Sequence, residues 1–96
     1  MAADGLGPIA RKVRVFGRVQ GVFFRQWTLN QARALGVSGW VRNLPDGTVE
    51  ANLFGGEESV ERMIAQMHHG PSQAQVEHVA VEDIEPEDLT GFSVRH

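Results

Sequence analysis

A short apolar loop, "GRVQGVFFR", runs from Gly17 to Arg25 and carries glycines and an arginine directly before a segment with helical spacing. Main-chain N–H groups at a helix start lack partners within the helix and lie at the positive end of its dipole. Gly17 and Gly21 allow such amides to converge without an intervening Cβ. Arg25 adds a planar cation that matches phosphate oxygens. These residue types in this order predict a site for a tetrahedral anion.

The same residues also have an ordinary interpretation. A Gly-x-x-x-Gly spacing is common in turns, and a single arginine at a helix start is often solvated. Arg25 favours the anion site, because a cation in the first turn opposes the helix dipole and calls for a compensating anion or a functional reason. Asn43 is a further polar candidate, at the end of a predicted strand before the turn Pro45-Asp46-Gly47, although asparagine is also common as a hydrogen-bonding residue beside turns.

The elements that must position these residues follow a βαββαβ order. Alternating apolar residues predict strands at "KVRVFGRV", at "VSGWVRN" and "GTVEANLF" on either side of the turn, and at "QVEHVAVEDI". Helical spacing predicts one helix from Phe23 or Phe24 to Leu35 and a second in "EESVERMIAQMHHGP". A short extra C-terminal strand at "GFSVRH" is left open. This order is typical of the α+β class and of the ferredoxin-like α/β sandwich, with both helices on one face of an antiparallel sheet and the other face largely solvated.

Composition bounds the classes of function. The 96 residues are 42% hydrophobic and 22% charged, which fits one globular domain. We expect a flexible tail at 1–10 and a single domain at 11–96. Cysteine is absent, which excludes thiol catalysis, thiolate metal sites and disulfides and is compatible with a reducing cytoplasm. No stretch approaches the ~20 apolar residues of a membrane span.

Charge is distributed unevenly along the chain, whose net charge is −3. Residues 1–42 carry seven Arg or Lys against one Asp, whereas residues 43–96 carry two Arg against eleven Asp or Glu. The basic half contains the glycine-arginine loop. A local anion site is therefore compatible with the composition, but the overall acidity argues against broad binding of a nucleic-acid backbone.

Most of the remaining polar residues are predicted to have structural roles. His68 and His69 would complement the dipole at the end of the second helix, and His78 and His96 are isolated, so no metal site is predicted. The acidic stretch 82–88 is predicted to be a solvated loop. Phe23 or Phe24 would line the mouth of the anion site, and at least one of these rings should be buried.

Together, "GRVQGVFFR" and "GWVRNLPDG" closely resemble the signature segments of the acylphosphatase family. The resemblance extends from about Arg11 onward and includes "HHGP", "VEHVAVED" and the closing "GFSVRH". It implies a ferredoxin-like fold and hydrolysis of acyl phosphates to a carboxylate and inorganic phosphate, without metal or cofactor. By position, Arg25 matches the family's phosphate-binding arginine and Asn43 the asparagine that places the attacking water. The loop whose amides bind the phosphoryl oxygens is matched by Arg18, Val19, Gln20, Gly21, Val22, Phe23 and Phe24.

The chemistry of an acyl phosphate allows a simple enzyme. The leaving group is a carboxylate that is stable at neutral pH, so no general acid is required. What remains is to hold the phosphoryl group while charge spreads over its oxygens and to position one water in line with the breaking bond. Asparagine is a poor base, so we expect the proton of that water to pass to a phosphoryl oxygen.

The sequence thus predicts a cytoplasmic, monomeric enzyme with a small acyl phosphate as substrate and inorganic phosphate or sulfate as a ligand of the same site. No nucleic-acid or membrane partner is expected. An alternative stays open at this point, because RNA-recognition domains share the βαββαβ order. In that alternative the chain is a non-catalytic ferredoxin-like module that binds a small anion or RNA.

Overall fold

The computed structural model describes residues 7–87 and 90–96. Its elements confirm the βαββαβ order and add the short C-terminal strand that the sequence left open. In chain order they are β1 (Ile9–Arg18), α1 (Phe24–Leu35), β2 (Ser38–Asn43), β3 (Val49–Gly55), α2 (Glu57–Met67), β4 (Gln75–Asp83) and β5 (Phe92–Arg95). Most of the predicted tail, residues 1–6, and the last residue of the predicted acidic loop, Asp88, lie outside the described residues. The prediction of a loop over 82–88 is wrong for Glu82 and Asp83, which belong to β4 because they pair with Lys12 and Arg11 of β1.

The first strand begins earlier than the predicted domain boundary at residue 11. Ile9 and Ala10 pair with Gly55 and Phe54 of β3, and Ala10 is buried. Ile9 and Ala10 therefore belong to the sheet, although the polar and glycine-rich sequence before them does not predict a strand.

The five strands form one sheet in the order β4-β1-β3-β2-β5. Strand β1 pairs antiparallel with both β3 and β4, and β2 pairs antiparallel with β3. Strand β5 pairs in parallel with β2, with Gly39 opposite Phe92 and Arg42 opposite Arg95. The prediction of an antiparallel sheet therefore holds for the first four strands. The sheet as a whole is mixed, because the chain reverses direction between β4 and β5, which lie at opposite edges.

One face of the sheet packs against both helices and forms the core. Val13 and Val15 of β1 and the alternating apolar residues of β3 are fully buried there. Helix α2 buries the predicted stripe of Val60, Met63, Ile64 and Met67. Helix α1 buries Phe24 and Ala32, and also Thr28, which the hydrophobic pattern did not indicate. The Thr28 hydroxyl is satisfied because it donates to the Phe24 carbonyl oxygen at 2.8 Å.

The opposite face is covered more completely than its expected solvation suggested. Glu50 on the central strand β3 is 9% exposed and forms an ion pair with Arg42 at 2.7 Å. The guanidinium groups of Arg42 and Arg95 lie 5.2 and 4.6 Å from the ring centre of Trp40. The two arginine side chains thus cover both the ring and the carboxylate on this face. Neither helix of the described residues is long and apolar enough to cross a membrane.

Candidate active site

The loop between β1 and α1 is anchored by its apolar side chains. Val19, Val22 and Phe24 are almost completely buried, whereas Gly21 and Phe23 are exposed. This in-and-out alternation attaches the loop to the core and leaves its main chain at the surface. It also resolves the sequence prediction for the paired phenylalanines, because Phe24 is the buried ring and Phe23 the exposed one.

The main-chain amides of this loop have no hydrogen-bond partner among the described residues. Among the hydrogen bonds of the described residues, none is donated by the main-chain N–H groups from Gln20 to Gln26. The first backbone bond of the helix start runs from the Trp27 N–H to the Phe23 carbonyl oxygen at 2.9 Å. The helix has no side-chain cap and no acidic residue in its first turn. A run of unpaired donors at the positive end of a helix dipole is suited to binding an anion.

Gly17 and Gly21 are required for different structural reasons. Gly21 has a φ of +74°, and a Cβ at this position would meet no atom within 4 Å. Gly17 has a φ of +126°, and a Cβ there would overlap the Gln75 carbonyl oxygen and lie 2.9 Å from the Glu77 nitrogen. Gly17 thus permits the close pairing of β1 with β4 at a register shift between Phe16 and Gly17. The sequence interpretation that both glycines shape the anion site is therefore replaced, for Gly17, by strand packing.

Arg25 lies at a cavity that the C-terminal strand helps to form. The cavity has a volume of about 450 Å³ and is lined by Gly21, Phe23, Phe24, Arg25, Gln26, Val94 and His96. The Arg25 Nη1 atom lies 3.2 Å from Nδ1 of His96. Strand β5 brings Val94 and His96 here because it lies beside β2 and packs against α1. Sequence reasoning treated His96 as isolated, and only its position directly after a predicted strand hinted at a fixed location.

Asn43 ends β2 opposite Val49 and lies at the base of the hairpin. Its Oδ1 atom is buried and has no hydrogen-bond partner among the described residues. The Gln20 side chain joins the loop to this hairpin, since its Nε2 donates to the carbonyl oxygens of Leu44 and Thr48 at 2.9 Å each. The structure thus attaches the loop to the hairpin next to Asn43. Asn43 itself is not among the residues that line the cavity at Arg25.

The hairpin turn has its own carboxylate, which is fully engaged. Asp46 Oδ1 accepts the Thr48 hydroxyl at 2.6 Å and the Thr48 N–H at 3.0 Å, and Asp46 Oδ2 is paired with Arg14. These hydrogen bonds from Thr48, together with the charge of Arg14, lower the pKa of Asp46 below its ordinary value. Asp46 is therefore committed to the turn and to β1.

Arg18 and the other histidines lie apart from the cavity. Arg18 is exposed at the end of β1, where it pairs with Gln75. His78 packs against Phe16, with ring centres 5.4 Å apart. His68 and His69 are exposed at the end of α2. Within residues 7–87 and 90–96, no group of three or more His, Asp or Glu is placed to hold a metal ion.

Comparisons with known proteins agree with the geometry. A family model described as Acylphosphatase matches residues 11–94. A protein from Thermococcus kodakarensis named acylphosphatase is 56% identical over 82 residues, which cover 85% of this chain and 90% of that protein. A solved acylphosphatase structure from Coxiella burnetii is 38% identical, covers 99% of this chain and 100% of that one, and superposes with a TM-score of 0.91. A Bacillus subtilis acylphosphatase crystal structure is 29% identical, covers 92% of this chain and 99% of that one, and gives a TM-score of 0.89.

Proposed function

The chain belongs to the acylphosphatase family, and we propose that its loop amides, Arg25 and Asn43 carry out the reaction without a metal ion. As an acylphosphatase it is a hydrolase of acid anhydrides with a small-molecule acyl phosphate as substrate. The alternative of a non-catalytic module for a small anion or RNA is not favoured by these relatives.

The phosphoryl group is proposed to bind where unpaired amides and a guanidinium meet. The observation that carries this step is that Gly21, Phe23, Phe24 and Gln26, whose N–H groups have no partner among the described residues, line the same cavity as Arg25. Preorganised donors of this kind stabilise charge as it develops on the equatorial phosphoryl oxygens. Arg18, Val19, Gln20 and Val22 do not line this cavity and are proposed to complete the phosphate-binding loop as its flanking residues. The buried Val19 and Val22 hold the loop in shape.

Asn43 is proposed to place the attacking water. Its buried Oδ1 atom has no protein partner among the described residues, and such an acceptor costs about 1–3 kcal/mol if it stays unsatisfied. A water that donates to this oxygen removes that penalty and is held on the hairpin side of the loop. As the water attacks phosphorus, the bond from phosphorus to the acyl oxygen breaks and the carboxylate leaves unprotonated. The water's proton passes to a phosphoryl oxygen, because asparagine cannot accept it.

His96 is proposed as a positioning residue for Arg25. A guanidinium can only donate hydrogen bonds, so the 3.2 Å contact requires Nδ1 of His96 to be the acceptor. This contact holds the Arg25 side chain in place before phosphate binds. Less rotamer entropy is then lost on binding.

The test is hydrolysis of benzoyl phosphate and acetyl phosphate by the purified protein in the presence of a chelator, with inorganic phosphate and sulfate as competitive inhibitors. We expect hydrolysis that survives chelation and that both anions inhibit. Loss of activity on chelation would contradict the metal-independent mechanism. A pH-rate profile with an essential protein group near neutrality would contradict proton transfer to the phosphoryl oxygen.

We further propose that the protein acts in the cytoplasm as a monomeric single domain that includes residues 11–96. The absence of cysteine and the acidic composition support this proposal. Sedimentation at micromolar concentration tests the monomer, with a dimer as the contradicting result.

A further inference from the structure

Phe23 has a left-handed backbone conformation, which is unfavourable for a residue with a large side chain. Its φ of +63° makes it the one non-glycine residue with positive φ among residues 7–87 and 90–96. The left-handed conformation costs roughly 1–2 kcal/mol for a residue with a Cβ, and glycine adopts it at little steric cost. The Phe23 side chain is also 79% exposed. A large apolar ring at a strained and solvated position calls for a reason outside the core.

The exposed ring stands at the proposed catalytic cavity. Phe23 and Val94 give this cavity apolar walls beside the charged group of Arg25. The aromatic pairs among the described residues join Phe16 with His78 and Phe24 with Trp27, so the Phe23 ring is not stacked on another ring there. Its face is therefore accessible to a ligand that occupies the cavity.

The cavity is larger than the phosphoryl group requires. Its volume of about 450 Å³ corresponds to about fifteen waters at roughly 30 Å³ each. A phosphoryl group of a few heavy atoms and one attacking water fill only part of that space. The remaining space holds either solvent or the acyl group of the substrate, which leaves as the carboxylate.

We propose that Phe23 is the platform for the acyl group and makes the enzyme selective for acyl phosphates whose acyl group is aromatic. This inference rests on the proposed function of the same cavity. With the phosphoryl group held by the loop amides and Arg25, the acyl chain extends toward the Phe23 ring. An aromatic acyl group can stack on the ring or meet its edge and exclude water from both surfaces. A methyl group, as in acetyl phosphate, is too small to cover the ring.

The test compares two substrates in matched variants. Phe23→Asn removes the ring but keeps a residue that tolerates positive φ, and Phe23→Gly removes the ring and relieves the strain. In both variants we expect kcat/KM for benzoyl phosphate to fall about tenfold, as the loss of an aromatic contact and its buried area implies. For acetyl phosphate we expect a smaller fall, since this substrate makes little use of the ring, so the ratio of the two kcat/KM values should drop. Val81→Asn, at an exposed apolar residue that does not line this cavity, is the control and should change neither value.

A binding measurement separates the platform from a structural role. Benzylphosphonate and methylphosphonate present the same kind of anion with and without a ring, and neither has a scissile acyl bond. The inhibition constant of benzylphosphonate should rise in both Phe23 variants by a larger factor than those of methylphosphonate and inorganic phosphate. An equal loss for both substrates and all three inhibitors would show that Phe23 shapes the loop instead, and would overturn the platform. Unchanged selectivity in an active enzyme would overturn it too, while the proposed function would stand. A wild-type protein that hydrolyses neither substrate would overturn both.

Discussion

The N-termini of the two helices differ in backbone geometry and in charge. Phe23 before α1 is left-handed, with a φ of +63°, whereas Gly56 before α2 is extended, with a φ of −62°. Neither α1 nor α2 has a side-chain cap on its first amides. Helix α2 begins with Glu57 and Glu58 in its first turn, which complement the positive end of its dipole. Helix α1 has no acidic residue in its first turn and carries Arg25 there instead. One helix start is neutralised by its own side chains, and the other is left positive.

We interpret the difference as one between a helix start that stabilises the fold and one that is proposed to bind a ligand. A charge of the wrong sign in the first turn costs roughly 0.3–1 kcal/mol, and the left-handed Phe23 adds to this cost. Residues of an active site are commonly retained at the expense of stability. Substitutions of charged residues in the first turn of α1 should therefore lower the activity without lowering the stability of the fold. Substitutions of charged residues in the first turn of α2 should lower the stability without lowering the activity.

The largest expected effect is that of Arg25→Ala. Removal of an arginine that stabilises phosphoryl charge lowers kcat/KM by about a thousandfold or more. The free energy of unfolding should be unchanged or slightly higher, because a cation leaves the positive end of the dipole. Inorganic phosphate should raise the melting temperature of the wild type and not of this variant.

Arg62→Ala in α2 is the matched control for Arg25→Ala. Arg62 forms an exposed pair with Glu58 at 3.4 Å, so we expect unchanged activity and a stability loss of about 0.2–0.5 kcal/mol. The comparison fails if Arg25→Ala keeps more than about a tenth of wild-type activity while Arg62→Ala loses a similar fraction.

The next largest effect is expected for Asn43→Ala. Loss of one preorganised hydrogen-bonding group lowers kcat about 100- to 1000-fold, and inhibition by inorganic phosphate should persist because the loop and Arg25 are intact. Asn52→Ala is the control, since Asn52 also has a buried Oδ1 without a partner among the described residues but lies on β3. Equal losses of activity in both variants would show that a general structural effect is being measured.

Gly17, which lies in β1, and Gly21, which lies in the loop before α1, provide a test of stability. Gly17→Ala should lower the free energy of unfolding by at least about 2 kcal/mol, because its Cβ would overlap the backbone of β4. Gly21→Ala meets no atom within 4 Å and should lose only about 1 kcal/mol from its positive φ. Urea unfolding of both variants gives the comparison. Similar losses would contradict the separate roles of the two glycines.

The smallest effect is expected at the start of α2. Replacement of Glu57 and Glu58 by Gln should lower stability by roughly 0.3–1 kcal/mol per charge at low salt and by less at 1 M salt. Benzoyl phosphate hydrolysis should not change, because α2 contributes no residue to the lining of the cavity. A loss of activity without a loss of stability would contradict the division between the two helix starts.

Local sequence was sufficient to predict the elements and to propose residues for the candidate site, whose roles stay predictions. Alternation and helical spacing depend on neighbours a few residues apart, so the βαββαβ order and the bounds of α1 were predictable. The glycines, the arginine and the helix start are also close in the chain, and they indicated the anion site directly. Asn43 was predictable as a strand-end residue beside a turn, and its proposed role came from the resemblance to the family.

Only the tertiary structure decided what surrounds that site. The contact of Arg25 with His96 joins residues 71 positions apart and exists because β5 is added in parallel beside β2. The bridge from Gln20 to the hairpin, the packing reason for Gly17 and the location of Val94 likewise depend on which strands become neighbours. Sheet order and strand direction are set by the packing of all elements on one core, and no local pattern contains that information.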